Sequence, residues 1–350
     1  MNKTKMKLTQ ELGADFWNDS CSLTELAEAV AQGAVGATSN PVIVLNAVSG
    51  APETWLPEID RLVAANPADT EDEIAWKLIA ELGERAAKLL APLHSSTKGE
   101  KGFLCVQVSP KYYRSPALMI EQAKSLAKIA PNVAIKIPAT EAGLAAMEET
   151  IAAGVNVNAT VSFSVAQAVA VAEAYERGMK KAEKAKRDLS QLHPYVTIMV
   201  GRVDDMLKRA KDKRGVDAAA ESLAWAGIAV FKRAHQIFQE RRFRSTLLAA
   251  AYRHEGHWSQ LIGDDVVLSI PYKWWKQFNE SSTVPTRSIG KPVDTAILRD
   301  LLKFDEFRRA YEPGALKPSE FVRFDASAST LNEFLEGYQK LLAIVRARMF

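Results

Sequence analysis

Val133-Ala134-Ile135-Lys136-Ile137-Pro138 is a short apolar run broken by a single lysine, and the fold can be read outward from it. Its apolar stretch Val133–Ile137, closed by the proline, reads as a strand buried on both faces. Behind it Leu144, Met147 and Ile151 recur at helical spacing, and Asn156–Val161 then forms a second short run. Strand, helix, strand is the crossover unit that parallel neighbours in a sheet require.

The alternation continues in both directions. Further strands are expected at Ala14–Trp17, Val35–Ser39, Phe103–Val108, Tyr195–Val200, Thr246–Ala251 and Val266–Ser269, eight in all. Ser22 with Glu25, and Thr70 with Glu73, have the spacing of capping boxes. Apolar stripes follow them, Leu23, Leu26, Ala27 and Val30 after the first, Ile74, Leu78 and Leu82 after the second. Eight strand–helix units predict an α/β fold, a (β/α)8 TIM barrel. The rival, an open doubly wound sheet, would carry a glycine-rich phosphate loop after its first strand, and neither GxGxxG nor GxxxxGK[ST] occurs. Residues 282–350 are expected as C-terminal helical additions to a single domain spanning 1–350. One helix is expected around Leu298, Leu301 and Leu302, and an amphipathic one through Leu331, Phe334, Leu335, Tyr338, Leu341 and Leu342.

Composition narrows the functional classes. The 350 residues include 45 basic and 42 acidic side chains, a net charge of +3 too small and dispersed for nucleic-acid binding. Hydrophobic residues at 47% suit a large core and argue against long disordered tails. No apolar run has the ~20 residues needed to cross a bilayer, and the basic start is followed by no signal-peptide core. Two cysteines, Cys21 and Cys105, make no disulfide scaffold, although a bond between them stays open. The expected location is cytoplasmic. The lysine-rich stretch Met179–Asp188 reads as a solvated helix face.

In such a barrel, chemistry sits at the C-terminal ends of the strands. Lys136 is the most informative candidate, because burial lowers the pKa of an amine and so suits it to attack carbonyls. The bland alternative is a strand-end lysine reaching out to solvent. Six other strands carry polar groups at the same end: Asn18 and Asp19; Thr38, Ser39 and Asn40; Gln107 and Ser109; Asn158, Thr160 and Ser162; Thr197 and Arg202; and Arg253.

These segments resemble the transaldolase family from Asp15 to about Pro271. Gly36-Ala37-Thr38-Ser39-Asn40-Pro41 is similar to the family's asparagine–proline motif, and Ile135-Lys136-Ile137-Pro138-Ala139-Thr140 with Gly143 to its Schiff-base lysine motif. Asn156–Thr160 with Phe163–Gln167 looks like its fifth-strand motif. Met199-Val200-Gly201-Arg202-Val203-Asp204-Asp205 looks like its arginine motif.

The resemblance implies that Lys136 forms an iminium with C2 of a ketose phosphate. That iminium acts as the electron sink for C3–C4 cleavage and transfer of a dihydroxyacetone unit to an aldose phosphate. No metal or organic cofactor is implied. Asp19 would be the acid–base group, with Asn18 the competing register, and Thr160 would help hold a relay water. Asn40 and Asn158 would bind the triose hydroxyls, with Ser162 and Thr197 lining the substrate site, and Arg202 and Arg253 would bind phosphate. The expected partners are sugar phosphates, not nucleic acid or membrane, and a homodimer stays open.

Several positions depart from the family pattern. Gln107 stands where typical transaldolases carry glutamate, a feature shared with the fructose-6-phosphate aldolase branch. Ser162-Phe163 stands where that aldolase branch has tyrosine, which favours transfer. Met199 replaces a common phenylalanine, and Ala251 a phosphate-binding serine. An aldolase, or a barrel that binds sugar phosphates without turnover, therefore remains a rival. His254 and His257 have metal-ligand spacing, with no third ligand apparent nearby in the sequence. The absence of a GxSxG elbow leaves a serine hydrolase unsupported.

Overall fold

The computed structural model describes residues 3–350. Eight parallel strands form a closed barrel: β1 (Ala14–Asn18), β2 (Gly36–Thr38), β3 (Phe103–Gln107), β4 (Val133–Pro138), β5 (Val157–Thr160), β6 (Tyr195–Met199), β7 (Thr246–Ala250) and β8 (Val266–Ile270). Each pairs with its neighbours in sequence, and β8 closes on β1 through Trp17 opposite Ser269. All eight expected strands are present. The largest boundary differences are at β2 and β5, each of which lacks one expected residue at both ends.

Alternation along each strand decides what the barrel encloses. Trp17, Phe103, Cys105, Ala134, Tyr195, Leu248, Ala250 and Val267 form an apolar cluster of their own inside it. Their outward neighbours, among them Phe16, Leu104, Ile135, Val196 and Leu268, join the larger core between sheet and helices. The next inward position on β1, β3, β4, β6 and β8 falls to Asp19, Gln107, Lys136, Thr197 and Ser269. The apolar plug is thus topped by a polar layer at the C-terminal end.

Local chemistry starts several helices at that same end. Asn40 caps the Pro41–Gly50 helix by accepting from Ile43 N–H at 2.9 Å, with Pro41 at the first helical position, where its missing N–H costs nothing. Thr140 caps Glu141–Ala152 through Gly143 N–H at 2.9 Å, and Ser164 caps Val165–Lys184 through Gln167 N–H at 3.1 Å. The Thr70–Glu73 capping box forms in full. The Ser22–Glu25 box does not: Ser22 precedes the Leu23–Ala31 helix without a side-chain cap bond, and its Oγ lies 3.2 Å from Thr24 Oγ1. In that helix Ala29 is buried and Ala27 exposed, so the apolar stripe lies one step from its expected path.

The C-terminal helix, Asp325–Arg346, crosses the mouth of the barrel. At its start Ser327 Oγ accepts from Gln167, beyond β5, and Asp325 pairs with Arg209 of the Val200–Arg214 helix that follows β6. Farther along, Gly337 packs on Val42 just after β2, and Tyr338 Oη donates to Asp72 at 2.8 Å. At ~1.5 Å per residue, 22 residues span about 33 Å, enough to bridge the two sides. Among the described residues no helix is long and apolar enough to cross a membrane. Cys21 and Cys105 are both free and buried.

Candidate active site

Lys136 occupies the centre of the polar layer. Strand register sets it beside Gln107 of β3 on one side and Asn158 of β5 on the other. Its side chain is only 5% exposed, and Nζ donates to the Ser39 carbonyl at 2.9 Å. Burial pushes the amine below the usual lysine range, and the Asp19 carboxylate opposes that shift in part. The same burial raises Asp19, against the pull of Lys136 and of Thr38. The pair is thereby biased toward a neutral amine beside a carboxyl group of raised basicity, the combination that attack on a carbonyl followed by proton transfer needs.

A hydroxyl chain orients the carboxylate. Thr38 Oγ1 donates to Asp19 Oδ1 at 2.6 Å and lies 2.7 Å from Ser269 Oγ. A hydroxyl has one proton to give, so Ser269 is the donor to Thr38. The Asn18 side chain faces the other way: it accepts from Trp275 Nε1 at 3.1 Å and donates to the Ser20 carbonyl at 3.2 Å. Of the two registers open in the sequence, Asp19 is the one beside Lys136. It also lines a cavity of about 390 Å³ at the ends of β1 and β8, together with Ser22, Glu25, Asn46 and Lys273.

The remaining candidates differ in how fully they are bonded. Thr197 Oγ1 donates to Asn158 Oδ1 at 2.8 Å, and Asn158 Nδ2 approaches Cys105 Sγ at 3.4 Å. Gln107 Oε1, Thr160 Oγ1 and Ser162 Oγ are buried without any partner. Buried polar atoms normally find partners, so three orphans at the C-terminal ends of β3 and β5 mark groups available to a ligand. Asn40 spends its carbonyl oxygen on the helix cap, leaving its amide N–H groups for a ligand.

Backbone strain concentrates at the same end. Val161 and Ala251, just beyond β5 and β7, adopt left-handed conformations at φ 53° and 64°. A β-branched residue there costs on the order of 1–3 kcal/mol and persists only when its surroundings over-determine it. Gln167 supplies that constraint at β5: its Nε2 donates to the carbonyls of Val161 and Ala139, and its Oε1 accepts from Phe163 N–H. Two glycines are required by close approach. A Cβ at Gly143 would fall 1.8 Å from the Pro138 carbonyl oxygen, and one at Gly201 2.1 Å from that of Ala251. The second contact packs the start of the Val200–Arg214 helix, which carries Arg202, against the loop after β7 that carries Arg253.

Both arginines carry carboxylate partners. Arg202 Nη2 pairs with Glu333 of the C-terminal helix at 2.6 Å, and its Nε is buried without a partner. Arg253 Nη2 pairs with Asp205 at 2.8 Å, while its Nη1 donates to the carbonyls of Ala251 and Tyr252. Behind Arg253 lies a network absent from the sequence reading. His254 and His257 approach Asp204 Oδ2 through Nε2 at 3.2 and 2.9 Å, so a third group does join the two histidines. Each Nδ1 accepts a backbone N–H, from Gly256 and Arg253 respectively, so each Nε2 carries hydrogen and donates. A metal would need those Nε2 lone pairs; here the trio acts as a hydrogen-bonded brace under Arg253. A second buried lysine also went unread: Lys232, pushed down to about 8 by burial, donates to the carbonyls of Ser288 and Lys291 away from this site.

The family described as Transaldolase/Fructose-6-phosphate aldolase matches residues 16–331, nearly the whole barrel and the start of the C-terminal helix. The chain belongs to that family. Transaldolase 2 of Streptomyces coelicolor is 33% identical over 243 residues, 67% of this chain and 64% of its own length. Transaldolase 1 of Streptomyces avermitilis is 31% identical, covering 71% of this chain and 68% of the relative. The transaldolase of Mycobacterium bovis is 34% identical over 65% of this chain and 62% of the relative. The alignments thus span less than two thirds of the length of the first and third of these relatives and slightly more of the second.

Proposed function

We propose that the protein is a transaldolase that moves a dihydroxyacetone unit between sugar phosphates through a Schiff base on Lys136. The observation that carries this reading is the buried amine itself: held below its ordinary pKa, beside a carboxylate raised above its own, and next to unpaired acceptors on β3 and β5. The donor would be a ketose phosphate such as fructose 6-phosphate or sedoheptulose 7-phosphate, and the acceptor an aldose phosphate, as in the pentose phosphate pathway.

The neutral Nζ attacks C2 of the ketose, and loss of water gives the iminium. Asp19 takes the proton of the C4 hydroxyl, directly or through a water held by Thr160. As that C–O becomes a carbonyl, the C3–C4 bond breaks and its electron pair flows to the iminium nitrogen. The aldose phosphate leaves. The enamine that remains attacks C1 of the acceptor aldehyde, Asp19 returns the proton to the new hydroxyl, and hydrolysis of the iminium releases the product ketose. Asn158, fixed by Thr197, and the amide of Asn40 hold the hydroxyls of the three-carbon unit. Arg202 and Arg253 hold phosphate.

Gln107 favours a second reading, an aldolase that releases free dihydroxyacetone. Gln107 can donate and accept hydrogen bonds but cannot take up a proton at neutral pH. Incubation with fructose 6-phosphate, with and without erythrose 4-phosphate, separates the two. Sedoheptulose 7-phosphate formed only with the acceptor supports transfer, and equal release of dihydroxyacetone in both arms supports the aldolase. Turnover in neither arm would leave a binding protein.

A further inference from the structure

We propose that Glu333 is a specificity-determining residue that competes with the substrate phosphate for Arg202. This rests on the transaldolase reading for the identity of the phosphorylated substrate, and on geometry for the competition. Arginine recognises an oxyanion bidentately through a pair of N–H groups on one edge of the guanidinium. Arg202 Nη2 lies 2.6 Å from Glu333 Oε2, and Nε is buried with nothing to bond. A carboxylate thus crowds one corner of the Nε–Nη2 edge, through which a phosphate would be gripped.

Two anions cannot share that edge at low cost. Glu333 is also placed to yield. Its side chain is 40% exposed and that of Arg202 24%, so the ion pair is screened and weak. The helix that carries it is anchored on both sides, by Ser327 on Gln167 and by Tyr338 on Asp72. The carboxylate can thus swing into solvent while the backbone stays in place. Arg253 differs, because its partner Asp205 lies on the same helix as Arg202 and its Nη1 is held as well by the carbonyls of Ala251 and Tyr252.

Removing the Glu333 charge frees the edge without touching the arginine. For Glu333→Gln, the KM of fructose 6-phosphate and the dissociation constant of inorganic phosphate, measured by calorimetry, should both fall by up to about 5-fold, the upper range of an exposed ion pair. The KM of unphosphorylated fructose should not move. In an Arg202→Gln background, Glu333→Gln should have no further effect on phosphate binding. A KM for fructose 6-phosphate that is unchanged or higher in Glu333→Gln would overturn the proposal, as would a parallel change for fructose. Should Glu333→Gln fail to fold, Glu333→Asp, which retracts the carboxylate by one methylene, gives the same comparison. Phosphate binding is read without turnover, so a chain with no transferase activity but tighter phosphate binding in Glu333→Gln would sink the enzymatic reading and leave this one standing.

Discussion

Asp204 is the buried hub behind Arg253, and its replacement by alanine has a calculable cost. Its Oδ1 accepts from Gly227 N–H at 2.9 Å, and its Oδ2 from His257 and His254. Without the carboxylate, the Gly227 N–H and the fully buried His257 Nε2–H lose their acceptor, while His254, 30% exposed, can turn to water. Two buried donors left unpaired cost about 1–3 kcal/mol each, so Asp204→Ala should lose roughly 2–6 kcal/mol. Against a typical total of about 5–15 kcal/mol, that is a large fraction.

The pH dependence has a definite sign. The histidine hydrogen bonds hold Asp204 below its ordinary 3.8, against the opposing effect of burial. A carboxylate lowered by folding contributes stability that is present above 3.8 and lost as pH falls through its folded value. Burial likewise holds His257 below 6.5, so its contribution is lost as pH falls from 6.5 toward its folded value. Urea unfolding from pH 8 to pH 3 measures both effects. The wild-type protein should lose stability toward acid, and Asp204→Ala should start lower and lose less. A deficit under about 1 kcal/mol with an unchanged acid limb would refute the assignment of the trio as a structural brace.

Two further outcomes follow from the polar layer. Thr38→Val removes the donor at 2.6 Å from Asp19, so kcat should drop roughly tenfold or more, as for a lost hydrogen bond to a charged group, and the buried Ser269 hydroxyl left without its acceptor should cost about 1–3 kcal/mol of stability. The rate of Schiff-base trapping should rise with pH along a limb centred below the ordinary lysine 10.5. In Asp19→Asn that limb should move lower still, because the opposing carboxylate is gone; a limb moving upward would contradict the pairing.

Much of the barrel was legible because its signal is local. Apolar runs such as Phe103–Gln107 and Val133–Pro138 are bounded by capping residues and glycines that act within a few positions. Lys136 stood out because a lone lysine in an inward-facing run has few roles. The choice between Asn18 and Asp19 was not legible, since it depends on whether Phe16 or Trp17 faces inward, and both are large apolar side chains. Contacts distant in sequence were invisible for the same physical reason: Glu333 meets Arg202, and Asp204 meets His254 and His257, only after the chain closes. The left-handed turns at Val161 and Ala251 carry no glycine to announce them. Ser22 had the residue type and spacing of a cap, yet its hydroxyl turned to Thr24.

Mass spectrometry after borohydride reduction in the presence of fructose 6-phosphate tests the covalent chemistry directly. Lys136 and Lys232 are both buried amines held below the ordinary lysine pKa, but Lys232 already donates to backbone carbonyls remote from Asp19. The account predicts a reduced triose adduct on the peptide carrying Lys136, and none on the peptide carrying Lys232. An adduct on Lys232 or on any other lysine, with Lys136 unmodified, would contradict it.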